Sequence, residues 1–249
     1  MTVLNFKGVD LVYPNGFHAL KDINFSVEPG EFVAVIGRSG AGKSTLLRAI
    51  NRTIECTSGK AEVLDFNLMK MGSGDLRQLR ARIGFIFQQF NLVKNLTALD
   101  NVLHGRLAHV GLLRSLLGLY PAVDVKLAQD VLKAVGLDGK MKSRVDALSG
   151  GQQQRVAIAR AVVQNPEIIL ADEPMASLDP KLSEVVLQLL LNFNRERGMT
   201  TIVNLHVLEL AQKYATRIVG MREGKMVFEG KPKDLSRGAL DSIYEGAVS

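Results

Sequence analysis

The chain has 249 residues, of which 47% are apolar and 22% are charged. These values exclude a disordered or fibrous protein and allow one large or two small globular domains. The 31 basic and 25 acidic residues leave a net charge of +6 with no long basic run, which a solvated basic face explains, and we expect no nucleic-acid partner. The single cysteine, Cys56, excludes an internal disulfide and fits a reducing compartment.

Membrane-spanning segments and a signal peptide are not predicted. The first residues lack the long apolar core of a signal peptide. The most apolar long stretch, residues 102–120, contains Arg106, Arg114 and two histidines, so we expect it not to cross a bilayer. Any association with a membrane is therefore expected to go through a partner protein.

The first 95 residues are predicted to combine antiparallel-type strands with a strand, a loop and a helix. Alternating apolar and polar residues predict strands over residues 4–12 and 23–27. The continuous apolar run at residues 32–36 predicts a buried strand, followed by a glycine-rich loop and a helix over residues 44–51. Further elements are a strand at 59–64, a helix at 75–82 and a strand at 83–87.

The middle of the chain changes character, because residues 96–145 carry helix signals and no clear strand. Strands and helices then alternate again, with helices at 151–163 and 181–197, strands at 168–171 and 201–205, and a hairpin over 218–228. We therefore predict an α/β fold with a mainly parallel sheet, an N-terminal antiparallel β subdomain and an inserted α-helical subdomain. The prediction is one domain, 1–249, with its core at 1–95 and 165–249 and its helical subdomain at 96–150.

The chemistry of the chain begins at residues 37–44, which read Gly-Arg-Ser-Gly-Ala-Gly-Lys-Ser. Between a strand and a helix, this spacing is typical of a phosphate loop, whose glycines let backbone N–H groups face an anion. Lys43 can reach the β- and γ-phosphates, and the hydroxyl of Ser44 can bind Mg²⁺. The fold is thus predicted to have a P-loop NTPase core. The candidate phosphate-binding residues are Gly37, Ser39, Gly40, Gly42, Lys43, Ser44 and Thr45.

Two carboxylates, Asp172 and Glu173, follow the buried strand predicted at residues 168–171. Asp172 is predicted to hold Mg²⁺ through a water molecule, and Glu173 to orient or deprotonate the attacking water. A strand-end cap would explain the same pair on its own. Together with a phosphate loop, the pair predicts hydrolysis of a nucleoside triphosphate.

A second cradle for phosphate is suggested by residues 148–152, Leu-Ser-Gly-Gly-Gln. Ser149 is a good N-cap, and the glycines at 150 and 151 leave backbone N–H groups open at the start of a helix. Because the chain has one phosphate loop, this cradle could serve a phosphate on another copy. An ordinary capped helix start is the alternative.

In combination, these motifs resemble the ATP-binding cassette (ABC) ATPases over nearly the whole chain. The resemblance implies a homodimer that sandwiches two ATP molecules head to tail, with Ser149 and Gly151 contacting the γ-phosphate held by the partner's loop. It also implies roles for Gln88 as the residue that senses Mg²⁺, although Gln89 is adjacent, and for His206 as the γ-phosphate switch. Tyr13 would stack on adenine, and residues 177–179 would cross the dimer.

The resulting assignments fall into three groups. The predicted catalytic residues are Lys43, Glu173 and His206. The predicted metal ligands are Ser44, Gln88 and Asp172. Outside the phosphate loop, the predicted nucleotide-binding residues are Tyr13, Gln88, Ser149, Gly150, Gly151, Gln152 and Asp179.

The chain most resembles the ATPases of phosphonate importers, a subgroup that also handles phosphite and related anions. The resemblance lies in residues 101–107, 114–119, 151–156, 176–180 and 204–206, whereas Val207 and Leu208 depart from it. It implies membrane permease subunits, a solute-binding protein reached through them, and a peripheral location at the cytoplasmic face of the cell membrane. Residues 110–119 would either pack internally or line the permease groove, for which Phe90, Leu92 and Val93 are better placed.

Three alternatives remain. The chain could be the ATPase of another importer, for an amino acid or another small solute. It could be a soluble cassette protein of DNA repair or translation, although those usually carry two cassettes or a long coiled-coil insert. A kinase or nucleotide switch that shares only the phosphate loop is the third.

Overall fold

The computed structural model describes residues 2–110, 114, 118–176 and 178–244, and its strands form two sheets. The smaller sheet is antiparallel and has the order β2-β1-β4-β5. Its strands are β1 (Leu4–Val12), β2 (His18–Val27), β4 (Ser58–Val63) and β5 (Phe66–Asn67). The predicted antiparallel subdomain is therefore present.

The larger sheet has the order β10-β9-β3-β8-β7-β6. Its strands are β3 (Phe32–Ile36), β6 (Ile83–Ile86), β7 (Ile168–Ala171), β8 (Thr200–Asn204), β9 (Arg217–Arg222) and β10 (Lys225–Gly230). The neighbouring strands are parallel except for the hairpin of β9 and β10. The carboxyl ends of β3, β7 and β8 consequently meet at one edge, where ligands bind in open α/β sheets.

Helices cover both faces of the larger sheet and build the helical subdomain. They are α1 (Lys43–Ile50), α2 (Ser73–Ala81), α3 (Ala98–Leu103), α4 (Ala122–Ala134), α5 (Gly150–Val162), α6 (Pro180–Arg197), α7 (Leu208–Tyr214) and α8 (Arg237–Tyr244). A short 3₁₀ helix, His104–His109, follows α3. The side chain of Thr97 begins α3 with a capping box, and the left-handed backbone of Gly198 ends α6.

Strand β3 separates the two hydrophobic clusters of the core. Phe32, Ala34 and Ile36 lie in the cluster formed with α5 and α6, whereas Val33 and Val35 lie in the cluster shared with α1 and the antiparallel sheet. All five residues are fully buried. Because successive side chains of a strand point to opposite faces, a strand covered on both sides needs the continuous apolar run seen in the sequence.

The elements predicted within residues 1–95 and 165–249 agree closely with the structure. Two elements of this part of the chain were not predicted. Strand β5 has two residues, and α7 has seven and follows Val207, whose side chain makes no cap. Neither therefore carries a start signal of its own. Residues 111–113 and 115–117, in the middle of the apolar stretch, lie outside the described residues. Within the described part of the chain, no helix is long and apolar enough to cross a membrane.

Candidate active site

The phosphate loop leaves the carboxyl end of β3 and is shaped by positions at which only glycine fits. Gly37 and Gly42 have φ values of 146° and 103°, in the region that L side chains rarely adopt. A Cβ atom would lie 2.3 Å from the carbonyl oxygen of Met221 at Gly37, and 2.9 Å from that of Ala19 at Gly42. The loop is therefore pressed against β9 on one side and β2 on the other. Ser39 and Gly40, at its tip, are exposed.

Lys43, the first residue of α1, is buried with 4% of its surface exposed. Its Nζ donates to the carbonyl oxygens of Gly37, at 2.9 Å, and Arg38, at 3.1 Å. Burial lowers the pKa of this ammonium group, and attraction to Glu173 and Asp172 opposes the shift. The lysine is thus held inside the loop by backbone carbonyls, close enough to the two carboxylates to feel their charge.

Asp172, which follows β7, is 4% exposed and meets side chains from α1 and β8. Its Oδ1 accepts hydrogen bonds from Ser44 Oγ and from Asn204 Nδ2, both at 2.7 Å. The structure thereby brings together two predicted metal ligands that are far apart in sequence. Asn204 is fully buried and was not predicted as a site residue, although a polar residue ending the apolar strand β8 is a signal of this kind.

Glu173 lies between Gln88 and His206. Its Oε2 accepts a hydrogen bond from Gln88 Nε2 at 3.0 Å, and its Oε1 lies 2.5 Å from His206 Nε2. Its backbone is left-handed, with φ 48°, which is uncommon for a residue with a side chain. The contact identifies Gln88, rather than its neighbour Gln89, as the residue of this pair that reaches the site. Gln88 donates its hydrogen bond to Glu173, and no hydrogen bond joins it to the other two predicted metal ligands, Ser44 and Asp172.

Tyr13 lies at the end of β1, partly buried beside the phosphate loop. Its hydroxyl is 3.2 Å from Thr45 Oγ1, and its ring stacks on Phe17 with centroids 6.3 Å apart. Phe17 itself is 58% exposed. The two rings form an aromatic surface beside the loop, and such a surface suits a planar base.

The start of α5 has a different character from the phosphate loop. Ser149 caps the helix through a reciprocal capping box with Gln152, and both Ser149 and Gly150 are exposed. Gly151 is buried, and a Cβ atom at this position would lie 2.9 Å from Leu182 Cδ1, too close for an ordinary contact. Among the described residues, no hydrogen bond or ion pair joins residues 149–152 to the phosphate loop.

The predicted dimer-crossing loop is described only in part, since Ser177 lies outside the described residues. Asp179 caps α6, because its Oδ1 accepts a hydrogen bond from the backbone N–H of Leu182 at 3.0 Å. This loop borders a cavity of about 670 Å³ that also touches Glu173, Asn204 and His206. The cavity places open space directly beside the carboxylate predicted to activate water.

Comparison with known proteins identifies this arrangement. A sequence model of the ABC transporter family matches residues 20–176. The chain therefore belongs to the ABC transporter family and is an ATP-hydrolysing cassette that binds nucleotide. The fold agrees: the cassette MJ0796, solved as a dimer bound to ADP and Pi, is 37% identical and superimposes with a TM-score of 0.79 over 92% of this chain and 98% of its own. Clostridium perfringens cbiO1, 28% identical, gives a TM-score of 0.84 over 96% and 92%.

Two curated relatives within this family carry the name of phosphonate import proteins. The phosphonates import ATP-binding protein PhnC 3 of Halalkalibacterium halodurans is 51% identical over 242 residues, covering 97% of this chain and 94% of its own. The phosphonates import ATP-binding protein PhnC of Shouchella clausii is 50% identical over 242 residues, covering 97% and 91%. The resemblance to cassettes of phosphonate importers is thereby confirmed at the level of the family.

Proposed function

We propose that this chain hydrolyses ATP to drive the import of a phosphonate, phosphite or a related phosphorus oxyanion. The position of Glu173 carries the hydrolytic part: it lies between Gln88 and His206 and beside the Ser44–Asp172 pair. The cargo rests on kinship, because the relatives that are about half identical over nearly the full chain carry the name of phosphonate import proteins. An importer for another small solute is the second candidate.

Mg²⁺ fits the residues around Asp172. The hydroxyl of Ser44 and the carboxylate of Asp172 are hard oxygen donors in contact with each other, and Asn204 Oδ1 is buried without a partner beside them. No cluster of three or more acidic, histidine or cysteine side chains occurs in the described residues, which suits an ion that keeps several waters and binds phosphate oxygens. Ser44, Asp172 and Gln88 would hold the ion, which would neutralise charge on the phosphates.

The remaining residues then divide the work of phosphoryl transfer to water. The N–H groups of the loop and Lys43 bind the phosphates, and Tyr13 stacks on adenine. Glu173 orients the attacking water or takes its proton, the water oxygen bonds to the γ-phosphorus, and the bond from that phosphorus to ADP breaks. His206 stabilises the charge that develops on the γ-phosphate. The protein supplies position and charge rather than covalent chemistry.

The signature residues would complete this site from a second copy. Ser149 and Gly150 are exposed at the N-terminus of α5, and within the described residues no hydrogen bond or ion pair joins residues 149–152 to their own phosphate loop. The solved cassette MJ0796 is dimeric. In the proposed homodimer, Ser149, Gly151 and Gln152 contact the γ-phosphate bound to the partner, while Asp179 lies at the crossing. ATP binding closes the dimer and hydrolysis reopens it.

The chain would act on the membrane through other proteins. We assign it to the cytoplasmic face of the cell membrane, bound to permease subunits that receive cargo from a solute-binding protein. Its single domain would divide as predicted, with residues 96–150 as the helical subdomain that moves with the permease. Phe90, Leu92 and Val93 follow Gln88 directly, so a permease segment docked there could report on the site.

Replacing Glu173 with glutamine tests the hydrolytic mechanism. E173Q keeps the size and the hydrogen bond to Gln88 but removes the base, so ATP hydrolysis should fall about a hundred-fold or more. ATP should still bind, and size-exclusion chromatography should show ATP-dependent dimers that persist. A variant that stays monomeric with ATP, or that phosphorylates an acceptor, would contradict the cassette mechanism.

The cargo is tested by uptake. Cells that carry the chain with its permease and binding protein should take up labelled methylphosphonate, and the same cells with E173Q should not. Competition by phosphite supports the broader oxyanion class, whereas competition by amino acids favours the alternative importer. ATP hydrolysis that is stimulated by ribosomes or DNA, and not by a permease, would contradict the proposed role in import.

A further inference from the structure

The chain just beyond Gln88 has an unusual backbone. Phe90 and Asn91 have φ values of 52° and 50°, and two consecutive left-handed residues with side chains are uncommon. The backbone N–H of Phe90 donates to the carbonyl oxygen of Phe87 at 3.2 Å, so the chain turns back sharply after β6. Gln88 lies inside this turn, and the turn therefore sets the point from which its side chain reaches Glu173.

Arg160, on the last turn of α5, holds this segment through two hydrogen bonds. Its Nη1 donates to the carbonyl oxygen of Asn91 at 2.5 Å, and its Nη2 donates to that of Phe90 at 2.8 Å. Burial lowers the pKa of the guanidinium, and no carboxylate of the described residues pairs with it to offset the shift. The two carbonyls that accept from this cation therefore belong to the two left-handed residues.

The end of α5 is itself fixed in the helical subdomain. Gly105, in the 3₁₀ helix after α3, is buried, and a Cβ atom there would lie 2.2 Å from the carbonyl oxygen of Arg160. Arg106 donates to the carbonyl oxygen of Val163 at 3.3 Å and to the carboxylate of Asp124 at 2.8 Å. Because these contacts leave the last turn of α5 little room, Arg160 can act as an anchor for the chain beyond Gln88.

The other end of α5 is the exposed helix start at Ser149 and Gly150. The helix has 13 residues, and at about 1.5 Å per residue its ends lie about 20 Å apart. One continuous helix thus joins the end proposed to meet the partner's phosphate to the turn that contains Gln88.

We propose that Arg160 is a positioning residue for hydrolysis, which fixes the turn at residues 87–91 and thereby the hydrogen bond from Gln88 to Glu173. The inference rests on the proposed function and adds to it a residue that was not among the predicted site residues. Among the described residues, no hydrogen bond joins Arg160 to the phosphate loop. Its loss should therefore slow the step at Glu173 and leave ATP binding unchanged.

The test compares R160K with the full-length wild-type chain. Lysine keeps the positive charge but lacks the planar fork that donates to two carbonyls at once. The kcat for ATP hydrolysis should fall about three- to thirty-fold, in line with the loss of one hydrogen bond from a charged group, while the Kd of ATP in calorimetry stays within about two-fold. R155K is the matched control, because Arg155 lies on the same helix, is equally half-buried and donates to Val135 at 3.5 Å instead. It should change neither value.

A double-variant cycle separates positioning from a general loss of structure. Because Arg160 acts through Gln88, the variant Q88A/R160K should hydrolyse ATP at the rate of Q88A alone. An effect of R160K that multiplies with that of Q88A would overturn the proposal. An unchanged kcat in folded R160K would do the same, as would a Kd of ATP that rises as much as kcat falls.

A second pair of variants covers the case in which R160K folds poorly. Asn91 is exposed and accepts from Arg160 through its backbone carbonyl. Valine disfavours a left-handed backbone and glycine adopts it freely, so N91V should hydrolyse ATP at least about three-fold more slowly than N91G, with equal Kd values for ATP. Equal rates for these two variants would contradict the proposal. If the wild-type chain hydrolysed no ATP, the proposed function itself would fail, so the two failures are distinguishable.

Discussion

The carboxyl edge of the large sheet and the start of α5 both offer backbone N–H groups to a phosphate, but they are built differently. At the sheet edge, Lys43, Asp172 and Asn204 are buried: Lys43 donates to loop carbonyls at 2.9 and 3.1 Å, and Asn204 donates to Asp172 at 2.7 Å. At the start of α5, Ser149 and Gly150 are exposed, and the polar contacts are those of a helix cap. One region is preorganised within the chain, and the other faces outward.

This difference supports the proposed homodimer. A buried, prearranged site can bind nucleotide by itself, because its donors lose no order when the ligand arrives. An exposed helix N-terminus gains its function only when a phosphate is brought to it. ATP held by one copy would therefore be the ligand that joins it to the other, which gives dimer closure its dependence on ATP.

The largest effects are expected from substitutions that disable each of the two regions separately. K43A should reduce both ATP binding and hydrolysis, with hydrolysis down about 10²–10³-fold. S149A should leave ATP binding by the isolated chain within about three-fold while reducing hydrolysis by about 10²-fold, because its hydroxyl acts on a phosphate held elsewhere. Calorimetry and phosphate release measure the two properties.

Mixing these two variants sharpens the comparison. In a head-to-tail heterodimer, one site carries both substitutions and the other carries neither, so an equal mixture should regain about a quarter of the wild-type rate. Each variant mixed with itself is the control. A mixture as inactive as its components would contradict a site shared between copies.

A smaller effect is expected from Asn204, which belongs to the preorganised region. N204A removes the donor to Asp172 inside the core and should lower the free energy of unfolding, without nucleotide, by about 1–3 kcal/mol. Urea denaturation measures the change, and N192A, at an exposed position of α6, should lie within about 0.5 kcal/mol of wild type. Equal stability of N204A and wild type would mean that the network forms only with nucleotide.

The smallest effect concerns Cys56, behind α1. Burial raises the pKa of this thiol from 9.0 to about 11. Between these values the unfolded chain loses the thiol proton while the folded chain keeps it, so the thiol makes stability fall as pH rises, by at most about 1.4 kcal/mol at pH 10. Wild type should lose this much more than C56A between pH 7.5 and pH 10 in urea denaturation. Parallel pH profiles would show that this part of the loop region is open to water.

The comparison also shows where prediction from sequence succeeded. Strand β3 and the loop after it were predictable because the apolar run and the glycine spacing are local patterns, each tied to one backbone geometry. Ser149 was predictable as a cap for the same reason. Asn204 was not, because its role is defined by Asp172, a partner 32 residues away that only the sheet order brings beside it. Helix α7 lacked a start signal and was missed.

The sequence by itself determined the chemistry: a phosphate loop, two carboxylates after a buried strand, and a second glycine-containing helix start. These are local signals, since each depends on backbone geometry or burial within a few residues. Only the tertiary structure decided that Asp172 joins Ser44 and Asn204 and that Glu173 lies between Gln88 and His206. Such contacts follow from the order of strands in the parallel sheet, which long-range packing sets and no local pattern encodes.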